Sequence, residues 1–81
     1  IGMTKYLATY LAPKIRVNTI VPGGIQNNQK KEFISKYSSL VPMKRMMKRD
    51  ELLGAVEYLL SPKSSYVTGS TVFIDGGWTA W

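Results

Sequence analysis

Eighty-one residues make at most one small domain, and the absence of any cysteine or histidine excludes a disulfide framework, a thiolate metal site and a Ser-His-Asp triad within the chain. Eleven Lys and Arg against five acids leave a net charge of +6, which fits either a solvated basic face or an anion-binding surface built from Lys30, Lys31, Lys44, Arg45, Lys48 and Arg49. No apolar run approaches the roughly 18 residues of a membrane span, and the opening residues lack the order of a signal peptide, so a soluble, cytoplasmic, reducing setting is expected.

The first element is a helix over residues 1–11, with Met3, Leu7 and Leu11 at i, i+4 and i+8 as its buried stripe. Pro13 disfavours the helical conformation at Ala12 and ends it. The periodicity is already complete at Ile1, where a capping residue would be expected, so the chain reads as cut from a longer one. Residues 15–21 are rich in β-branched side chains and apolar on both faces, with Ile15, Val17, Thr19 and Val21 opposite Arg16, Asn18 and Ile20. That pattern predicts a buried strand, ended by Pro22.

Residues 26–29 are polar loop, and 30–37 predict a short amphipathic helix with Phe33, Ile34 and Tyr37 inward. Pro42 breaks the chain before the basic, Met-rich Lys44-Arg-Met-Met-Lys-Arg49. A helix follows over 50–60, with Leu52, Val56, Leu59 and Leu60 as its stripe, Asp50 and Glu51 opposing the dipole at its start, and Ser61-Pro62 closing it. Residues 66–69 form a turn, 71–74 a second β-branched strand, and Asp75-Gly76-Gly77 a turn that needs glycine.

Two strands separated by a long helical connection read as parallel neighbours joined by a right-handed crossover. Parallel sheets need both faces covered, and two strands with three helices cannot cover them, so the expected fold is the C-terminal part of a larger α/β domain.

Ligands bind open parallel sheets beyond the carboxyl ends of the strands, and Pro22-Gly23-Gly24 sits at such an end. Its glycines either let backbone approach a flat ligand closely or form an ordinary Pro-Gly turn. No G-x-G-x-x-G pattern occurs, and Glu32, Asp50, Glu51, Glu57 and Asp75 are too scattered to hold a metal.

Ile1-Gly-Met-Thr-Lys5, Arg16-Val-Asn18, Pro22-Gly23, Asp50-Glu51, Tyr58-Leu-Leu-Ser61, Tyr66-Val-Thr-Gly69 and Asp75-Gly-Gly77 together resemble, in order and spacing, the C-terminal portion of a short-chain dehydrogenase/reductase. The resemblance covers almost the whole chain. It implies the last two parallel strands and their helices of a doubly wound, Rossmann-like, NAD- or NADP-binding domain. The parent would be an oxidoreductase transferring hydride between nicotinamide and a carbonyl or hydroxyl carbon.

By the same resemblance, Pro22 and Gly23 pack beside the nicotinamide, the Ile25 backbone meets its carboxamide, and Asn27 stands where the family commonly has a cofactor-holding Thr. Residues 26–47 correspond to the substrate loop, in which Phe33, Tyr37, Met43, Met46 and Met47 either line a pocket for a small molecule or pack the loop itself. The catalytic Tyr-x-x-x-Lys pair is expected upstream of Ile1, leaving no catalytic residue here and an inactive isolated chain. Tyr10 and Lys14 fit the spacing, but Pro13 ends the helix between them.

The resemblance also implies a homotetramer formed through the 50–60 helix and the 71–74 strand, with neither nucleic acid nor membrane as partner. Trp78 and Trp81 are candidate interface anchors. Asn18, Tyr66 and Asp75 read as buried polar groups that satisfy backbone near strand ends. Two alternatives of other classes are a basic nucleic-acid-binding module and a non-catalytic interaction domain.

Overall fold

A computed structural model describes residues 1–80. Helix α1 (Gly2–Leu11) ends at Ala12, which takes the extended conformation (φ −65°, ψ 148°) that a following proline imposes. Ala8 is its buried residue, with Leu7 and Leu11 of the expected stripe half-buried and Met3, 69% exposed, falling outside it. The reason is close approach: the Ala8 Cβ lies 3.4 Å from where a Cβ on Gly69 would stand, and longer side chains are left flanking that contact. The hydroxyls of Thr4 and Thr19 meet between α1 and the first strand.

Strands β1 (Thr19–Pro22) and β2 (Thr71–Ile74) pair in parallel, Thr19 opposite Thr71 through Pro22 opposite Ile74. The ladder starts four residues later than the expected 15–21, because side chains take over the pairing before it. Thr68 Oγ1 accepts from the Val17 N–H at 3.1 Å, and Asn18 spans the gap by donating to the Val67 carbonyl and accepting from the Ser70 N–H, both at 3.0 Å. An amide carries a donor and an acceptor on one short stem, so it can bridge backbones whose spacing does not suit a regular ladder. Pro22 belongs to the strand as its last residue; the next bond comes from the Gly23 N–H to the Ile74 carbonyl at 2.7 Å.

Helix α2 (Lys31–Leu40) runs three residues past its expected end, because Pro42 constrains only Val41, which is extended (φ −100°, ψ 136°). Ile34 and Tyr37 are half-buried, but Phe33 is exposed and leaves the inward set. Helix α3 (Arg49–Leu60) follows. Leu52, Val56 and Leu59 are half-buried, while Leu60 at the C-terminal end is exposed. Arg16 reaches the C-terminal end of α3, donating to the carbonyls of Leu59 at 2.9 Å and Val67 at 3.1 Å, where a cation opposes the helix dipole.

Short 3₁₀ turns occupy Pro62–Ser64 and Trp78–Ala80. Ser64 takes the buried polar place expected of Tyr66: it is 0% exposed and donates to the Leu59 and Ser61 carbonyls, whereas the Tyr66 side chain is fully exposed.

Buried apolar residues are few: Ala8, Val41, Met46 and Met47. The radius of gyration is 15.2 Å, against about 12 Å for a compact domain of this length, and β1 is only half-covered on both faces. This is a piece of α/β architecture whose sheet faces are open. Among the described residues no helix is long and apolar enough to cross a membrane.

Candidate functional site at the end of strand β1

Beyond Pro22 the backbone is held from three directions. Gly23 bonds to β2 as described. The Gly24 N–H donates to the Tyr37 hydroxyl at 2.7 Å, and the Gly24 carbonyl accepts from the Met47 N–H at 2.9 Å. The Gln26 N–H donates to the Met47 carbonyl at 2.8 Å, so Ile25 and Met47 form an isolated parallel bridge. No local spacing in the sequence signals that bridge, which closes the whole segment 26–47 back on the strand end.

Both glycines are required by contacts within the chain. A Cβ on Gly23 would lie 3.0 Å from the Asp75 Cα, and one on Gly24 would lie 2.7 Å from Tyr37 Cζ. Asp75 turns the chain after β2: its carboxylate accepts from the Gly77 N–H at 3.0 Å and from the Thr79 hydroxyl at 2.7 Å. These bonds, the Thr79 hydroxyl foremost, hold its carboxyl below the usual carboxylate range. Gly76 and Gly77 have φ of +63° and +94°, the left-handed region the turn demands.

A cavity of about 100 Å³ opens between the strand ends and the segment 26–47. Gly23, Gly24, Ile74, Asp75 and Gly76 form one wall, and Tyr37, Val41, Met43 and Met47 the other, with Arg45 and Glu51 completing it. Of the five loop residues expected to line a pocket or pack, Tyr37, Met43 and Met47 reach this cavity. Met46 is 2% exposed in the core, and Phe33 lies outside, stacked on Tyr37 at 6.1 Å.

Pro22 ends β1 and Gly23, Ile25 and Asn27 follow in the loop, with Pro22 and Asn27 exposed and Gly23 and Ile25 half-buried. The Ile25 carbonyl accepts from Gln29 Nε2 at 2.9 Å, and Gln29 Oε1 accepts from the Asn27 N–H at 2.6 Å. Gln29 thus shapes the loop, a role its bare polar context did not reveal. Among the described residues the Ile25 N–H has no hydrogen-bond acceptor. Trp78 stacks on Tyr37 at 5.6 Å, and Trp81 lies outside the described residues. No group of three potential metal ligands occurs among the described residues.

Arg45 and Glu51 form a bidentate pair, both N–H···O contacts at 2.7 Å, and Glu51 also accepts from the Lys48 N–H at 2.8 Å at the start of α3. A lysine ammonium has no lone pair, so the return bond of this cap is made by backbone: the Glu51 N–H donates to the Lys48 carbonyl at 3.0 Å. The Arg45 guanidinium first, and then the Lys48 N–H, lower the Glu51 pKa from 4.5 to about 2. Because the folded value is depressed, this contribution to stability is complete above pH 4.5 and is lost as pH falls towards about 2. Glu51→Gln is therefore expected to lower the Tm of the intact protein at neutral pH, with the gap to the unsubstituted protein closing through that acid window. A gap that stayed constant with pH would show that the pair contributes nothing; its exposure keeps the effect small.

A parallel pair joined through helices, with a backbone loop at its carboxyl end, is Rossmann-like α/β architecture. The comparisons narrow this. The family model described as enoyl-(acyl carrier protein) reductase matches residues 1–79. Glucose 1-dehydrogenase 2 of Bacillus subtilis is 43% identical over 83 residues, covering 95% of this chain and 32% of that protein. The 3-oxoacyl-[acyl-carrier-protein] reductase FabG of Buchnera aphidicola subsp. Acyrthosiphon pisum is 43% identical over 82 residues, covering 95% and 34%. The crystal structure of a short chain dehydrogenase from Leptospira borgpetersenii with bound NAD+ superposes with a TM-score of 0.88 at 51% identity, covering 96% of this chain and 31% of that one. The chain belongs to the short-chain dehydrogenase/reductase family. It spans about a third of the length of the curated relatives it matches.

Proposed function

We propose that this segment is the C-terminal part of an NAD- or NADP-dependent oxidoreductase that moves hydride between the nicotinamide and a carbonyl or hydroxyl carbon. The single observation that carries the reading is the half-buried Ile25 N–H, left without an acceptor among the described residues while Gly23, Gly24 and Gln26 on either side of it are bonded to β2, Tyr37 and Met47. A nicotinamide carboxamide offers the carbonyl that such a donor needs. Bound, the cofactor supplies the hydride chemistry; the residues here orient and enclose.

In this reading Pro22 and Gly23 present a low, rigid surface to the ring, and the Ile25 N–H sets its rotation. Asn27 offers an exposed amide where the family usually has a hydroxyl. Tyr37, Met43 and Met47 cover the substrate side, and the catalytic Tyr and Lys belong to the remainder of the domain. Exposed Leu53 and Tyr58 on α3 and Phe73 on β2 are apolar groups placed for subunit contacts in a homotetramer. The relatives act on unlike substrates by their names, a sugar and an acyl thioester, so the substrate class stays at the carbonyl or hydroxyl carbon.

Of the six basic residues considered for a nucleic-acid surface, Arg45 is committed to Glu51, and Lys44 donates to the Ser39 carbonyl at 3.0 Å. Neither family membership nor the fold favours that alternative. The expected result is that the intact protein binds NADH or NADPH, read by nicotinamide fluorescence, while the 81-residue chain alone turns over neither with any carbonyl substrate. Turnover by the isolated chain would overturn the placement of the catalytic residues elsewhere.

A further inference from the structure

We propose that Tyr37 is a positioning residue for the cofactor: carried on α2, its hydroxyl holds the Gly24 N–H, fixing the peptide just before the one that carries the Ile25 N–H and that Met47 holds by its carbonyl, so that order in the substrate-loop helix and grip on the nicotinamide rise together. This rests on the reading of the β1 end as the nicotinamide side.

Two features carry it. First, the bond is specific to the hydroxyl. The Tyr37 ring is seated between Trp78, 5.6 Å away at 21°, and Phe33, 6.1 Å away at 29°, and it fills the space that a Cβ on Gly24 would claim. A phenylalanine would make the same stack, so packing alone does not call for the oxygen. The oxygen accepts the Gly24 N–H at 2.7 Å, a short bond for an amide donor.

Second, the other bonds that hold this loop come from β2, from residue 47 and from Gln29. The loop runs on into α2 at Lys30, and the Tyr37 bond is the one through which a side chain of α2 reaches back to the strand end. An element tied to a binding site by such a bond biases it, and reciprocity requires the site to bias the element by the same factor.

The test uses the intact protein and its Tyr37→Phe variant. NADH and NADPH are titrated by fluorescence, and tryptic cleavage after Lys36 and Lys44 is timed with and without saturating cofactor. Loss of one hydrogen bond predicts a Kd raised about fivefold, and the cofactor's slowing of cleavage reduced by a similar factor. A purely structural tyrosine would speed cleavage equally with and without cofactor and leave Kd unchanged; that result overturns the proposal.

If the unsubstituted protein binds neither nicotinamide, the reading of the strand end has failed and the proposal falls with it. If Tyr37→Phe does not fold, the unsubstituted protein decides: saturating cofactor that leaves cleavage after Lys36 and Lys44 unslowed overturns the proposal.

Discussion

Gly76→Ala in the intact protein is expected to lower its unfolding free energy by about 3 kcal/mol, the sum of two penalties. At φ +63° an alanine sits in the left-handed region, which costs about 1 kcal/mol. Its Cβ would also stand 2.7 Å from Val41 Cγ1 and 3.6 Å from the Met43 Cβ. Val41 is 1% exposed and borders open space only where it lines the cavity, so the overlap adds about 2 kcal/mol of overpacking. Denaturant unfolding measures the sum. The double variant Gly76→Ala with Val41→Ala separates the parts, because removing the Val41 methyls relieves the clash and leaves the backbone strain. The double variant should therefore lose less than the two single losses added together. A loss below about 1 kcal/mol for Gly76→Ala would mean that the turn after β2 is looser than its contacts indicate.

Asn18→Ala carries the second largest effect, about 2 kcal/mol, because it leaves the Ser70 N–H without a partner and the Val67 carbonyl with Arg16 alone. This one amide holds both groups at 3.0 Å, and together they align the approach to β2 with the approach to β1. Asn18→Asp should fare no better. Its carboxylate still accepts from Ser70, but its second oxygen turns towards the Val67 carbonyl, acceptor against acceptor. Amide exchange at Ser70 and Thr19 reads the effect locally, since Thr19 donates to the Ser70 carbonyl at 2.9 Å at the start of the ladder. If Asn18→Ala proves neutral while those amides stay protected, the regular ladder alone holds the two approaches in register.

Both predictions fall on residues the sequence singles out for the right reason. Asp75-Gly76-Gly77 reads as a turn needing glycine, and two positive φ angles bear that out. Asn18 reads as a polar group satisfying backbone near a strand end, and it does. Tyr66 carries the same expectation and fails it, since a one-turn 3₁₀ helix puts Ser64 inside instead. The difference lies in reach: a small hydroxyl meets the last carbonyls of α3 where a phenol does not fit.

The site was half legible. Pro22 to Asn27 could be placed at a strand's carboxyl end because proline and β-branched residues act on their own backbone and their immediate neighbours. The order of helices and strands, the parallel pairing, and the start of α3 at its acidic turn follow from the same short-range preferences. The sequence by itself determined these.

Only the tertiary structure decided which partners meet. Met47 pairs with Ile25 across the whole of α2, Tyr37 returns to Gly24, and Arg16 reaches the carbonyls of Leu59 and Val67. It also decided that Ala8, rather than Met3, is buried beneath α1. Periodicity and propensity describe a residue's own turn or pleat. A contact between distant residues depends on where another element's backbone lies, and that is set by the stacking of the elements together.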